Sequence, residues 1–129
     1  MCTQKTKARK YQLTFNNPVD HGFTHEVIRT TLASFPGIQY WCMCDEVGEQ
    51  GTPHTHLYLY SPNAILFTTL QNRFMGAHIE MAKGSHQANR DYIRKEGRWL
   101  DDGKHETNLP ETFEESGDLP PAVSYTHLR

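Results

Sequence analysis

The sequence predicts an α+β fold, a central antiparallel β-sheet with helices packed on it, in the order β-α-β-β-α-β-α-β. Two kinds of periodicity predict it. Short runs such as Tyr11-Gln12-Leu13-Thr14-Phe15 and Thr55-His56-Leu57-Tyr58-Leu59-Tyr60 alternate with the two-residue period of strands. Between the runs, Val27, Ile28, Thr31, Leu32 and Phe35, and later Ile65, Leu66, Thr69, Leu70 and Phe74, recur at helical spacing. Glycine and proline clusters separate the two patterns.

Taken in order, residues 1–9 carry basic side chains without an acid and read as a flexible basic arm. The first strand covers 11–15 and ends at Asn16-Asn17-Pro18, since proline cannot continue a central strand. A helix starts at Thr24 or His25 and stops at Pro36-Gly37. A long β-rich run, 38–47, is the expected central strand, with buried thiols at Cys42 and Cys44. The turn Gly48-Glu49-Gln50-Gly51 joins it to a strand from Thr52 to Tyr60, so the two form a hairpin. Ser61-Pro62-Asn63 should break the chain before a second helix, closed by Gly76. Residues 77–81 alternate as a short strand. Ser85 is the expected N-cap of a third helix over 86–96, and Trp99-Leu100 a last short strand.

These patterns divide the 129 residues into an arm, a domain over 10–104, and a weakly structured acidic tail over 105–129. The formal charge of −2 conceals an asymmetry, because residues 1–100 carry 11 basic and 8 acidic groups while 101–129 carry 2 and 7. A mildly basic body is compatible with a nucleic-acid partner. No apolar run approaches membrane-span length, and residues 1–5 do not read as a secretory signal. Three cysteines make no disulfide framework, which suits a reducing, intracellular setting.

Two places carry chemistry. In a strand, His54 and His56 point to one face, with Tyr58 and Tyr60 following them and Thr55, Leu57 and Leu59 opposite. The tight turn brings Glu46 across from the histidines, and the carboxylate with two imidazoles makes a three-ligand set for Mg²⁺ or Mn²⁺, which zinc would also accept. Asp45 should face away, and Glu49 lies in the turn. On the third helix, Tyr92 and Lys95 share a face, so an ammonium can stabilise charge at a phenol or a nearby phosphate. His21, His25, His86, His105 and His127 have no partner visible in the sequence and are expected at the surface.

In chain order, Leu13-Thr14-Phe15-Asn16-Asn17-Pro18, then Pro53-His54-Thr55-His56, then Tyr92-Ile93-Arg94-Lys95 resemble the three motifs of the HUH replication-initiator endonucleases. The likeness is closest to the Rep proteins of circular single-stranded DNA viruses, of the circovirus and geminivirus kind, and related plasmids. Gly76-Ala77-His78-Ile79-Glu80-Met81-Ala82-Lys83-Gly84 adds to it, and about residues 10–100 are covered. Circoviral relatives often carry glutamine where His56 stands, so this chain keeps the two-histidine form. Thr55 stands where a bulky apolar residue is usual.

The resemblance implies a metal-dependent endonuclease and strand transferase with an RRM-like sheet. It implies Mn²⁺ or Mg²⁺ on Glu46, His54 and His56, Tyr92 as the nucleophile, and Lys95 as its helper. The reaction implied is sequence-specific nicking and joining of single-stranded DNA at an origin stem-loop through a 5′-phosphotyrosine, as in rolling-circle replication. An origin-binding module without catalysis is the alternative. Candidate DNA contacts are Asn16, Asn17, Lys83 and Arg90, with Tyr58 and Tyr60 as base-stacking surfaces and His78 and Glu80 as neighbours of the site. A eukaryotic virus as the source would imply the host nucleus, and any other source the cytoplasm. The Gly-x-x-x-x-Gly-Lys-Ser/Thr loop of the family's helicase does not occur in the sequence, and the full-length protein could self-associate.

Overall fold

The computed structural model describes residues 6–48, 50–95 and 108–120. Its elements follow the predicted order: β1 (Lys7–Asn16), α1 (His25–Ala33), β2 (Tyr40–Val47), β3 (Pro53–Leu66), α2 (Phe67–Arg73), β4 (His78–Met81), α3 (His86–Arg94) and β5 (Asn108–Gly117). The strands form one antiparallel sheet in the order β4-β1-β3-β2-β5. Among the described residues, no helix is long and apolar enough to cross a membrane.

Strand alternation sends side chains to two faces, and each face has its own core. Leu13, Phe15, Met43, Leu57 and Leu59 pack on one face against Ile28 and Leu32 of α1 and Leu70 of α2. Tyr40, Cys42, Cys44 and Tyr58 pack on the other against Ile93 of α3. Ser85 caps the third helix as expected, its hydroxyl accepting the Ala88 amide at 2.9 Å, and Thr24, one of the two residues expected to start the first helix, caps it by accepting the Val27 amide at 3.2 Å. Cys42 and Cys44 are buried free thiols, and burial pushes the Cys42 thiol up to about 12.

Three boundaries differ from the sequence reading. Lys7, Ala8 and Arg9, expected in a flexible arm, belong to β1, where Lys7 and Ala8 pair with Leu66 and Ile65. Ile65 and Leu66 are therefore the end of β3, not the first turn of a helix. The expected break at Pro62 is a bulge: the β1–β3 register shifts between Ala8 and Lys10, so a residue without an amide proton costs no ladder bond there. Ser61 holds the bulge by donating to the carbonyls of Gly37 and Asn63 at 3.0 and 2.7 Å.

The third difference is the acidic segment, expected to pack little. Asn108–Gly117 is instead β5, paired to β2. Its acids are neutralised on opposite faces: Glu114 by His25 and Arg29 of α1, Glu115 by Arg90 of α3. Pro110 lies in a second bulge, opposite the shift between Met43 and Asp45, where the Thr112 hydroxyl accepts the Asp45 amide at 2.8 Å. Gly117 carries φ +92, and a Cβ there would lie 1.9 Å from the Gln39 carbonyl oxygen. The expected strand at Trp99-Leu100 and the turn after it lie outside the described residues, as do Glu49, His105 and His127.

Candidate active site

The site lies at one end of the sheet, on the α3 face. The strand register sets Asn16, His54, Glu46 and Asn108 side by side across β1, β3, β2 and β5. Residues opposite one another share a face, so Glu46 meets His54 directly and His56 diagonally. The β3 entrance is fixed from β1: Asn17, in the left-handed region at φ 48, donates its amide to the Pro53 carbonyl at 2.8 Å.

Glu46 is the hub. Its Oε2 accepts from His54 Nε2 at 2.9 Å and His56 Nε2 at 3.0 Å. Its buried Oε1 makes no hydrogen bond among the described residues and faces the Lys95 ammonium at 3.3 Å. Burial opposes ionisation, but the hydrogen bonds from His56 and His54, with Lys95 nearby, hold this carboxyl well below the usual carboxylate range. The ligand atoms of Glu46, His54 and His56 all lie within 4.8 Å of one another. Two imidazole nitrogens and a carboxylate, with one carboxylate oxygen lacking a hydrogen bond, fit a hard or borderline divalent cation. Ligation through Nε2 requires the other ring nitrogen to carry the proton, and Thr14 Oγ1 lies 3.3 Å from His56 Nδ1, ready to accept it.

Tyr92 comes to the same place from α3. Its ring meets His56 edge to face, with centroids 5.9 Å apart. Lys95 is buried at the C-terminus of α3 with φ 60, a left-handed conformation that turns its ammonium back. The ammonium donates to the Tyr92 carbonyl at 2.9 Å and lies 3.9 Å from the Tyr92 ring centroid. Burial raises the phenol above its ordinary pKa, and the charges of Glu46 and Glu80 add to this. Two asparagine side chains hold the helix. Asn89 accepts from Gln12 of β1 at 2.6 Å, and Asn108 donates to the Arg94 carbonyl at 3.1 Å.

The residues read from sequence as DNA contacts fare differently. Asn16 is exposed beside His54. His78 and Glu80 are exposed on β4 and bonded to each other at 2.7 Å, with His78 in register with Thr14. The Lys83 side chain is exposed, and its carbonyl accepts from Asn89 at 2.9 Å. Tyr58 offers no surface to a base: it is 0% exposed, and its hydroxyl is bonded to His86 Nδ1 at 2.7 Å. Tyr60 shares the histidine face but is partly buried, with its ring 4.4 Å from that of His86. Arg90 spends its guanidinium on Glu115, at 2.9 and 3.1 Å.

Two histidines expected at the surface are built in. His86 bonds Tyr58, and His25 sits between Asp45 and Glu114, 2.7 Å from each. Asp45 does face away from the Glu46–His54–His56 cluster, and Thr55, buried beneath it, donates to Asp45 at 2.6 Å. The hydroxyl at position 55 thus has a use. Thr14 and Asn108 were not singled out in the sequence. Thr14 carries a signal in the alternation of β1, which sets it on the face of Gln12 and Asn16, opposite Leu13 and Phe15; Asn108 lies in a segment without a clear pattern.

Residues 8–96 match the family model described as "Putative viral replication protein". The chain is 33% identical over 97 residues to a replication-associated protein of pigeon circovirus and 37% identical over 90 residues to that of beak and feather disease virus. These alignments cover 75% and 69% of the chain but 29% of each relative, so the chain spans less than a third of their length. The matched stretch holds Glu46, His54, His56, Tyr92 and Lys95 together, and β5 lies beyond it. On that match the chain belongs to the viral replication protein family, alongside the replication-associated proteins of circoviruses.

Proposed function

We propose that this domain nicks and rejoins single-stranded DNA at a replication origin, with Tyr92 as the nucleophile. The observation that carries the proposal is the convergence of Tyr92 on the Glu46–His54–His56 cluster, its ring 5.9 Å from that of His56. The names of the circoviral relatives, which are replication-associated proteins, support a role in viral replication.

A divalent cation on Glu46, His54 and His56, Mn²⁺ or Mg²⁺, would supply Lewis-acid polarisation of the scissile phosphate. The chain's own groups do the rest. The Tyr92 oxygen attacks phosphorus, the bond from phosphorus to the 3′ oxygen breaks, and the phenol proton leaves as the 3′ oxygen gains one. The products are a 5′-phosphotyrosine and a free 3′-OH, which can prime synthesis. The phosphodiester energy is retained in the phosphotyrosine, so attack by a 3′-OH reverses the step and joins ends. The Lys95 ammonium beside the Tyr92 ring favours the phenolate that burial disfavours. Glu46 holds the charge of Lys95 at 3.3 Å and keeps it at the site. Asn16, exposed in register with His54, and His78, exposed in register with Thr14, are the groups that would meet a bound strand at the cluster, with the exposed Lys83 as a further contact. The substrate is single-stranded or locally opened, because a stacked, paired strand hinders access to its phosphate.

The test is a labelled single-stranded origin stem-loop oligonucleotide incubated with the protein and Mn²⁺, then run on a denaturing gel. A covalent adduct that disappears in Tyr92→Phe and with EDTA is the expected result. Intact DNA that still shifts on a native gel would instead mark an origin-binding module without catalysis.

A further inference from the structure

From the geometry we infer that Asn108 is a positioning residue for Tyr92, an inference that rests on the nucleophile assignment above. It lies on β5, outside the stretch shared with the family model, and is buried. Its backbone is in register with Glu46, the hub of the cluster. Its side chain crosses to α3, where Nδ2 donates to the Arg94 carbonyl at 3.1 Å. Its Oδ1 accepts from the buried Cys44 thiol at 3.3 Å. The two bonds together fix which way the amide faces, because only the NH₂ end can serve a carbonyl.

The position matters because α3 ends there. Arg94 is the last residue of the helix and Lys95 follows in the left-handed region. Helix C-terminal carbonyls lack intrahelical partners. Here the Arg94 carbonyl is taken by the Asn108 side chain, and the Tyr92 carbonyl by both the backbone amide and the ammonium of Lys95. At its other end α3 is tied to β1 through Gln12 and Asn89. Asn108 thus makes the nucleophile end of the helix move with the strand that carries Glu46. In-line attack tolerates little error, and misplacement by about 1 Å can cost on the order of a hundredfold in rate.

Asn108→Asp keeps the shape and the oxygen that Cys44 donates to, but sets an oxygen against the Arg94 carbonyl. At saturating oligonucleotide and Mn²⁺, single-turnover adduct formation should fall about tenfold or more, while the affinities for oligonucleotide and Mn²⁺ stay within about twofold. Cys44→Ser, which keeps the donor, should retain a rate within about twofold of the parent. A readout independent of the reaction is ¹⁹F NMR of protein labelled with 3-fluorotyrosine. The resonance lost in Tyr92→Phe should shift in Asn108→Asp, while those of Tyr11 and Tyr60 stay in place. An unchanged rate, an unmoved Tyr92 resonance, or a rate loss matched by equal loss of DNA binding overturns the inference. If the parent forms no adduct, the nicking assignment fails, and the resonance alone decides whether Asn108 orients Tyr92. Should Asn108→Asp not fold, Cys44→Ala, which frees Oδ1, is measured in the same way and must show the same split in smaller degree.

Discussion

The Lys95 ammonium lies 3.3 Å from Glu46 Oε1 and 3.9 Å from the centre of the Tyr92 ring, so one buried cation touches both the Glu46 carboxylate and the phenol proposed as nucleophile. That placement depends on backbone as well as side chain, since Lys95 holds φ 60. A left-handed residue other than glycine costs roughly 1–2 kcal/mol. Lys95→Gly should therefore be more stable than Lys95→Ala by about 1 kcal/mol, read from urea midpoints. Both should lose adduct formation, because both remove the ammonium. Equal stability of the two variants would show that the turn stores no strain.

Glu46→Gln keeps the shape of the hub and removes its charge. Mn²⁺ affinity by isothermal titration calorimetry should fall at least about tenfold, since a neutral amide is a poor ligand beside two imidazoles. Thr14→Val should lower it too, by about tenfold or less, because it removes the acceptor for the His56 Nδ1 proton. A Thr14→Val protein that binds Mn²⁺ like the parent would leave the ring oriented by other means.

The fold was legible where one periodicity held without interruption. The face alternation from His54 to Tyr60 and the helix starts at Thr24 and Ser85 are local properties, and the structure has them. Glu46 could be placed near the histidines because the hairpin is short, but the loop between the paired Val47 and Pro53 has five residues rather than the four of Gly48–Gly51, and strict counting would have set Asp45 opposite His54. What failed was long-range. Pro62 looks like a break until a partner strand shows that it lies in a bulge. Glu114 and Glu115 look like a solvated acidic run until His25, Arg29 and Arg90 neutralise them from two helices. The tyrosine face was read correctly, but not that α3 would cover Tyr58; alternation tells which side a residue faces and not what packs on that side. Asn108 is far from the motifs in sequence, and only the β2–β5 pairing brings it to Glu46.

Metal should stabilise the fold as well as equip the site. Glu46, His54 and His56 come from two strands, and a cation that binds only the folded state stabilises it by about 2.7 kcal/mol at a hundredfold excess over Kd. Differential scanning fluorimetry with and without Mn²⁺ should show a rise in Tm that EDTA reverses. His54→Ala should abolish the rise. A rise that persists in His54→Ala would place the stabilising ion elsewhere.

His25 gives the edge strand a pH dependence of its own. Both ring nitrogens face carboxylates at 2.7 Å, which is the bonding of an imidazolium. The bond to Asp45 raises the pKa of His25; burial works against it, and Glu114 adds to the rise. Asp45 and Glu114 are themselves lowered, burial being outweighed by His25 with Thr55 and Arg29 respectively. The signs then set a window. A raised histidine contributes fully below its unfolded pKa near 6.5 and loses that contribution as pH rises through its higher folded value. The lowered carboxylates contribute fully above about pH 4 and lose their part as pH falls through their folded values. The clamp between α1, β2 and β5 is therefore strongest at about pH 5–6. His25→Gln should cost roughly 1–3 kcal/mol there and clearly less at pH 9, measured by urea unfolding at each pH. Cys44 accessibility to a thiol reagent should rise in step, because Cys44 is covered by Asn108 and Thr112 of β5. A stability loss that does not vary with pH would mean that His25 holds β5 by shape, with its charge playing no part.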